Sequence, residues 1–392
     1  MVRHYVMGVA VAQLAMVGAA YAQENRFDLS ARIVETYDTN TLRLGDLRTD
    51  DPTDNLAVSP RVAVDFDRRF GRQRAFVNGY AGYNFNSRFK FLNREDLALN
   101  SGIDLRFGPR CQISPTASVF RSQSDLEDLG QIVSNTATIQ DYRIRATCPR
   151  PAGFYPTISA GYYRVDNSEI RRERDQSIVD GRLGVVYRRP SIADFELFGQ
   201  ISQITRARRD PSPTGLLEDE TGLRTVGLRV SRDVGTRFEA EAQIGYTDVD
   251  PQVVGVPGFS GLTYSGSLTY EPSPRLGITL TSGRAATARG NLGTSYYLTN
   301  NVELDTRMQL SARTSFNAGV QVSRRDFRGE DRVFLFGPRG KDRQVDARAG
   351  IGYRVARPID LNLSVRYRQR NADNDFYDYD SFAATLAAGI RL

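Results

Sequence analysis

Histidine is almost missing from this chain of 392 residues: the single one, His4, lies at the very start. The rest of the chain therefore lacks the usual general base and the usual partner of a serine or cysteine nucleophile, which argues against a hydrolase or acyl transferase. Cysteine is nearly as scarce, with Cys111 and Cys148 the only two. Imidazole and thiolate metal sites are thereby excluded, and only carboxylate clusters suited to hard cations remain. Lysine is rare as well, since only Lys90 and Lys341 among 52 basic residues are lysines. The arginines are spread along the chain with acids interleaved, so a net charge of +6 and a pI near 9.3 do not amount to a nucleic-acid surface. No phosphate-binding glycine loop appears, and no cofactor is expected. After residue 22 no apolar run is long enough for a membrane-spanning helix, and the mean hydropathy is −0.42.

What is present begins with a leader. Arg3 gives a short positive start, Tyr5 to Ala19 are apolar apart from Gln13, and Ala20-Tyr21-Ala22 supplies a small-x-small cleavage pattern. The expectation is a cleaved secretory signal over residues 1–22 and a single domain over 23–392. A membrane anchor is the competing reading, but the run falls short of the roughly 20 residues a spanning helix needs.

From residue 26 onward apolar and polar residues alternate in segments of strand length. Leu97, Leu99, Ile103, Leu105 and Phe107 share one face, while Ala98, Asn100, Gly102, Asp104 and Arg106 share the other. Phe238, Ala240, Ala242, Ile244 and Tyr246 likewise oppose Glu239, Glu241, Gln243, Gly245 and Thr247. Eighteen strands are predicted over 26–36, 56–66, 74–86, 95–107, 111–123, 136–148, 154–165, 176–189, 194–205, 221–232, 236–248, 261–271, 275–285, 294–306, 313–326, 342–355, 359–370 and 379–392. Short connections such as Gly108-Pro109-Arg110 and Pro272-Ser273-Pro274 alternate with longer polar ones at 37–55, 124–135, 206–220, 249–260 and 327–341. Short turns at one end and long loops at the other characterise outer-membrane barrels, whose short turns are periplasmic. A β-sandwich also alternates, but at this length it would divide into domains of about 100 residues joined by linkers, and no linker is visible. The fold class expected is an all-β, antiparallel, up-and-down transmembrane barrel in a Gram-negative outer membrane.

If 111–123 and 136–148 form a hairpin, opposed positions sum to 259, so Cys111 faces Cys148 at the periplasmic end. A disulfide at that base is expected in an exported protein. One further carboxylate group stands at Asp373, Asp375, Asp378 and Asp380, another at Asp125, Glu127 and Asp128. Loop solvation is the simpler reading of both, weak calcium or lipopolysaccharide-bridging ion binding the other.

The charges on the polar face carry the functional reading. Asp104, Arg106, Asp141, Arg143, Arg145, Asp180, Arg182, Arg229, Glu239, Glu241, Asp346, Arg348, Arg366 and Arg368 all fall on the lumen side by parity. They serve either as ion pairs stiffening the wall or as a hydrated path for a polar, anionic or neutral solute. Neither role excludes the other. No plug domain is expected before the first strand, and the connection after the fifth, 124–135, is too short for a long inward loop.

Tyr37-Asp38-Thr39-Asn40 with Leu42-Arg43-Leu44, then Arg324-Arg325-Asp326-Phe327, then Tyr367-Arg368-Gln369-Arg370-Asn371 with Asn374 and Tyr377-Asp378-Tyr379-Asp380-Ser381 resemble an outer-membrane β-barrel family found with exopolysaccharide and capsule gene clusters. The resemblance covers most of the chain after the leader. It implies an outer-membrane exit for polysaccharide, with a periplasmic polysaccharide-export protein, the barrel-assembly machinery and lipopolysaccharide as partners. The terminal Leu392, where many barrels end in Phe, departs from the usual assembly signal. A passive porin for small polar solutes and an adhesive surface barrel, with loops 37–55, 206–220 and 327–341 as contact surface, are the alternatives; the apolar Phe334-Leu335-Phe336 reads either as a loop packing into the lumen or as such a contact surface.

Overall fold

The computed structural model describes residues 26–45, 51–124, 126, 132–206, 219–289, 294–330 and 337–392, with the backbone alone for Glu330. The expected leader 1–22, the carboxylates Asp125, Glu127 and Asp128, Phe334-Leu335-Phe336 and most of the loop 206–220 lie outside them. The chain folds into one antiparallel sheet of eighteen strands. The first six are β1 (Arg26–Asp38), β2 (Asn55–Phe70), β3 (Gln73–Asn86), β4 (Arg94–Phe107), β5 (Cys111–Gln123) and β6 (Thr136–Thr147). The next six are β7 (Gly153–Asn167), β8 (Gln176–Arg189), β9 (Ala193–Arg206), β10 (Asp219–Val234), β11 (Phe238–Pro251) and β12 (Phe259–Ser273). The last six are β13 (Leu276–Thr287), β14 (Thr294–Gln309), β15 (Thr314–Glu330), β16 (Lys341–Arg354), β17 (Ile359–Ala372) and β18 (Tyr379–Arg391). Each predicted strand is present, and the observed ends differ from the predicted ones by a few residues.

Each strand pairs with its neighbours in the chain, and β1 also pairs with β18 from Ser30↔Arg391 to Asp38↔Ala383. The sheet is therefore a closed barrel with no free edge, the one β arrangement that satisfies all backbone groups in lipid. Among the described residues the only register shift lies between β12 and β13, near Tyr270 and Ser273.

The parity of the pleat sorts side chains as alternation implies. Leu183 (64% exposed), Leu197 (63%) and Ile201 (67%) point out of the barrel, where hydrocarbon rather than water would cover them. Exposed aromatics gather at two heights on this outer face. Near the short turns are Phe70, Phe107, Phe154 and Phe238, the last two paired with Tyr187 at 4.8 Å and Tyr270 at 4.4 Å. Tyr37, Tyr83, Phe85, Tyr264 and Phe382 lie towards the loops. Two aromatic girdles flanking an apolar band mark the interfaces of an outer membrane.

Cys111 and Cys148 are joined in a disulfide, beside the Gln112↔Thr147 pair that fixes the predicted register. The staple lies at the short-turn end of the β5–β6 pair.

Candidate solute path through the lumen

All fourteen charges expected in the lumen occupy lumen-facing positions, and the structure gathers most of them into two clusters. The first lies on β6 to β11. Asp141 pairs with Arg143 at 2.9 Å. Glu196 is shared by Arg182 at 2.9 Å and Arg229 at 3.5 Å, while Arg229 also holds Glu241 at 2.6 Å. Arg182 further donates to Gln243 at 3.0 Å and covers the Phe198 ring at 3.6 Å, a cation–π contact. Arg145 lines a small cavity with Arg182, Arg229 and Glu196 but makes no hydrogen bond or ion pair among the described residues. The second cluster lies on β14 to β17. Asp346 pairs with Arg366 and, at 3.2 Å, with Arg368. Arg348 pairs with Glu303 at 2.6 Å and Asp305 at 2.5 Å.

The remaining three stand apart from both clusters. Asp104 accepts from Gln112 at 3.1 Å and Ser114 at 2.7 Å. Arg106 and Glu239 are exposed near the short turns.

Several ion pairs skip a strand, and a lumen-facing glycine makes room for each. Asp305, Gly319 and Arg348 are opposed across three strands. So are Arg61, Gly82 and Asp96, whose pair closes at 2.8 Å, and Arg32, Gly389 and Asp360, at 3.3 Å. A Cβ on Gly319 would come within 2.9 Å of Arg348 Nε, and one on Gly82 within 2.6 Å of Arg61 Cγ. Period-two reading assigns such glycines to the lumen face without revealing what passes over them.

The mouth at the long-loop end departs from the expectation of a lumen without an internal obstruction. The end of β13 and the start of β14 lean across the lumen. Thr294 to Thr299 are buried without alternation. Arg289, just after β13, reaches Asp141 on β6 at 3.2 Å and Asp180 on β8 at 3.7 Å, and lies 4.6 Å from the Tyr163 ring on β7. In return Arg206, at the end of β9, donates to the carbonyl of Ser295 at 2.9 Å. Tyr296, Leu298 and Ala288 pack against the lumen-facing Tyr163, Val165, Ile178, Ile204 and Val249. Burying such side chains contributes roughly 1.5–3 kcal/mol each, so the tip is held by packing as well as charge. Arg206, Arg289, Glu196 and Glu303 were not among the expected lumen charges. The lapse of alternation at Thr294–Thr299 was the available signal for the tip, and no local pattern reveals which opposite wall it meets.

Two of the segments that carry the resemblance, 37–44 and 377–381, meet in space. Ser381 Oγ donates to Asp38 at 2.7 Å, Arg43 pairs with Asp38 at 2.8 Å, and Asn40 Nδ2 donates to the Asp380 carbonyl at 2.9 Å. They hold the β1–β18 seam that closes the barrel. In the late carboxylate group, Asp373 accepts from the Lys341 amide at 3.0 Å and Asp378 from the Ala372 amide at 2.6 Å. Among the described residues no group of three or more ligating side chains is placed to hold a metal.

Solved structures similar to this chain include three outer-membrane proteins. The structure of OccK2 (OpdF) from Pseudomonas aeruginosa in complex with glucuronate is 12% identical, with 94% of this chain and 98% of that chain covered and a TM-score of 0.47. A BenF-like porin from Pseudomonas fluorescens Pf-5 is 12% identical, with 94% and 99% covered and a TM-score of 0.49. The siderophore receptor PiuA from Acinetobacter baumannii is 9% identical, with 93% and 82% covered and a TM-score of 0.48. No curated protein matches the sequence. Residues 164–392, more than half of the chain and including both clusters' strands from β8 onward, match the family described as "Putative beta-barrel porin 2", and the chain belongs to it.

Proposed function

We propose that this outer-membrane barrel is a passive channel for small polar solutes, neutral or anionic, narrowed at its extracellular mouth by the β13–β14 tip. The observation that carries the reading is the combination of charged lumen walls with a tip that crosses the lumen, from Arg289 to Asp141 and from Arg206 to Ser295. Charged side chains lining an aqueous path bind a solute weakly at several places and let it leave. The first cluster favours anions slightly, because Arg182 and Arg229 are matched by Glu196 and Glu241 while Arg145 has no carboxylate of its own. A small carboxylated or hydroxyl-rich solute suits such a wall, its anionic group meeting the guanidinium groups as it passes.

The polysaccharide exit implied by the resemblance has less in its favour. The family matched is described as porin, and a tip packed across the mouth leaves little room for an extended chain. The leader over 1–22, and a single mature domain after it, remain part of the proposal.

Purified barrel in planar bilayers tests it. The expected outcome is discrete single-channel openings by the protein alone, with a reversal potential in a potassium chloride gradient displaced towards chloride. Silent membranes that conduct only when a periplasmic partner is added would reject a passive porin and revive the export reading.

A further inference from the structure

On the outer wall, polar residues line up across six strands in direct register: Tyr264, Arg284, Asn300, Arg324, Arg343 and Asn371. Parity places this row on the face shared by Leu280, Val302, Val320 and Leu363, where lipid lies. Elsewhere on that face, charges near the extracellular end are matched. Arg121 holds Glu95 at 2.8 Å, Arg164 holds Asp166 at 2.7 Å, and Arg328 holds Asp326 at 2.8 Å.

The three arginines of the row are different. No side chain among them makes an ion pair or hydrogen bond among the described residues; Arg284 instead lies 5.5 Å from the Phe259 ring, and its shielded Nε has no hydrogen-bond partner. Arg324 and Arg343 are directly opposed, an arrangement of like charges that is unfavourable unless an anion lies between them. A cavity of about 350 Å³ opens beside them, lined by Tyr264, Ser282, Asn300, Val302, Arg324 and Arg343. It lies below the region where β14 leans inward. The height fits an interface. Arg324 is ten residues along β15 from Thr314, about 33 Å along the strand and about 25 Å along the barrel axis at the usual tilt, the height of the apolar band.

We propose that this row is a docking site for a phosphorylated lipid of the outer leaflet, namely lipopolysaccharide. Its phosphate bridges Arg324 and Arg343 with Arg284 and Asn300 at the side, and its acyl chains run down the apolar wall beneath. Guanidinium groups meet phosphate with charge-assisted, often bidentate hydrogen bonds, and the apolar wall supplies the second recognition element. Lipid binding and conductance are read separately, so the failure of this site and the failure of the channel reading are distinguishable.

The test is binding of purified lipopolysaccharide to the detergent-solubilised barrel. It compares wild type, the triple variant R284A/R324A/R343A and the charge-retaining triple variant R284K/R324K/R343K, each checked for folding by heat-modifiable migration. The alanine variant is expected to bind about a hundredfold more weakly, from three cations lost beside an anionic surface, and the lysine variant to recover much of the affinity. Dephosphorylated lipid should bind the wild type as weakly as intact lipid binds the alanine variant. If the alanine triple does not fold, the single substitution R324Q carries the same comparison with a smaller loss. Equal binding by wild type and the alanine or glutamine variant would overturn the site. So would equal binding of dephosphorylated lipid, and displacement of the lipid by millimolar inorganic phosphate would reassign the row to a free anion.

Discussion

The two ends of the barrel are built differently. At the periplasmic end the strands are joined by short turns, and a covalent link, Cys111–Cys148, fastens one hairpin. At the extracellular end the connections are longer, and the end of β13 and the start of β14 pack on lumen-facing residues of β6 to β9 and β11. In the proposed reading one end secures the wall, while the other sets what passes. Stability and permeability should therefore respond to different substitutions.

The largest stability effect is expected at the stapled end. A disulfide closing a loop of 37 residues stabilises by up to about 4 kcal/mol through the unfolded chain. Reduction, or the double change C111A/C148A, should shift urea unfolding of the detergent-solubilised barrel by an amount approaching that figure and leave conductance unchanged. Thiol titration of the denatured, unreduced protein should find no free thiol; altered conductance in the variant would show that the two ends are coupled.

Next come the glycines beneath the strand-skipping ion pairs. Gly82→Val should destabilise by about 1–3 kcal/mol, the usual cost of overpacking, because a Cβ there also meets the backbone oxygen of Pro60 at 2.7 Å. Gly319→Val should cost less, since its neighbours are side chains that can move. Unfolding midpoints for the two variants give the comparison, and the reverse ranking would contradict the account of why those glycines are there.

Smaller still is the stability effect of Glu196→Gln. Glu196 is buried between Arg182, Arg229 and Thr157, but glutamine keeps its shape and a carbonyl acceptor for them, so a loss of about 1 kcal/mol is expected. The change leaves Arg182 and Arg229 without their shared carboxylate, so anion preference should rise while the unfolding midpoint falls slightly. A reversal potential displaced towards cations would show that this cluster does not face the conducted ion.

All eighteen strands were legible because their signal is local: a period of two, broken by Gly, Pro and Asn at the turns. The register of β5 on β6 was legible too, since it follows from hairpin arithmetic once Cys111 is set against Cys148. Lumen orientation of Asp141 or Arg348 followed from parity. What Asp141 meets did not, because Arg289 comes from a hairpin on another part of the wall and no sequence interval encodes a distance across the lumen. The seam residues Asp38, Arg43 and Ser381 stood out as a motif, but only closure of β1 on β18 explains why they occur together.

The central claim is that the β13–β14 tip is the constriction. Single-channel conductance of R206A/R289A against wild type tests it most directly, since the two substitutions remove the polar ties of the tip to the facing wall and leave only its apolar packing. A rise in conductance is the predicted result, together with a lower unfolding midpoint, because R206A also removes the cation paired with the buried Asp219. An unchanged conductance in the folded double variant would place the narrowing elsewhere and contradict the account.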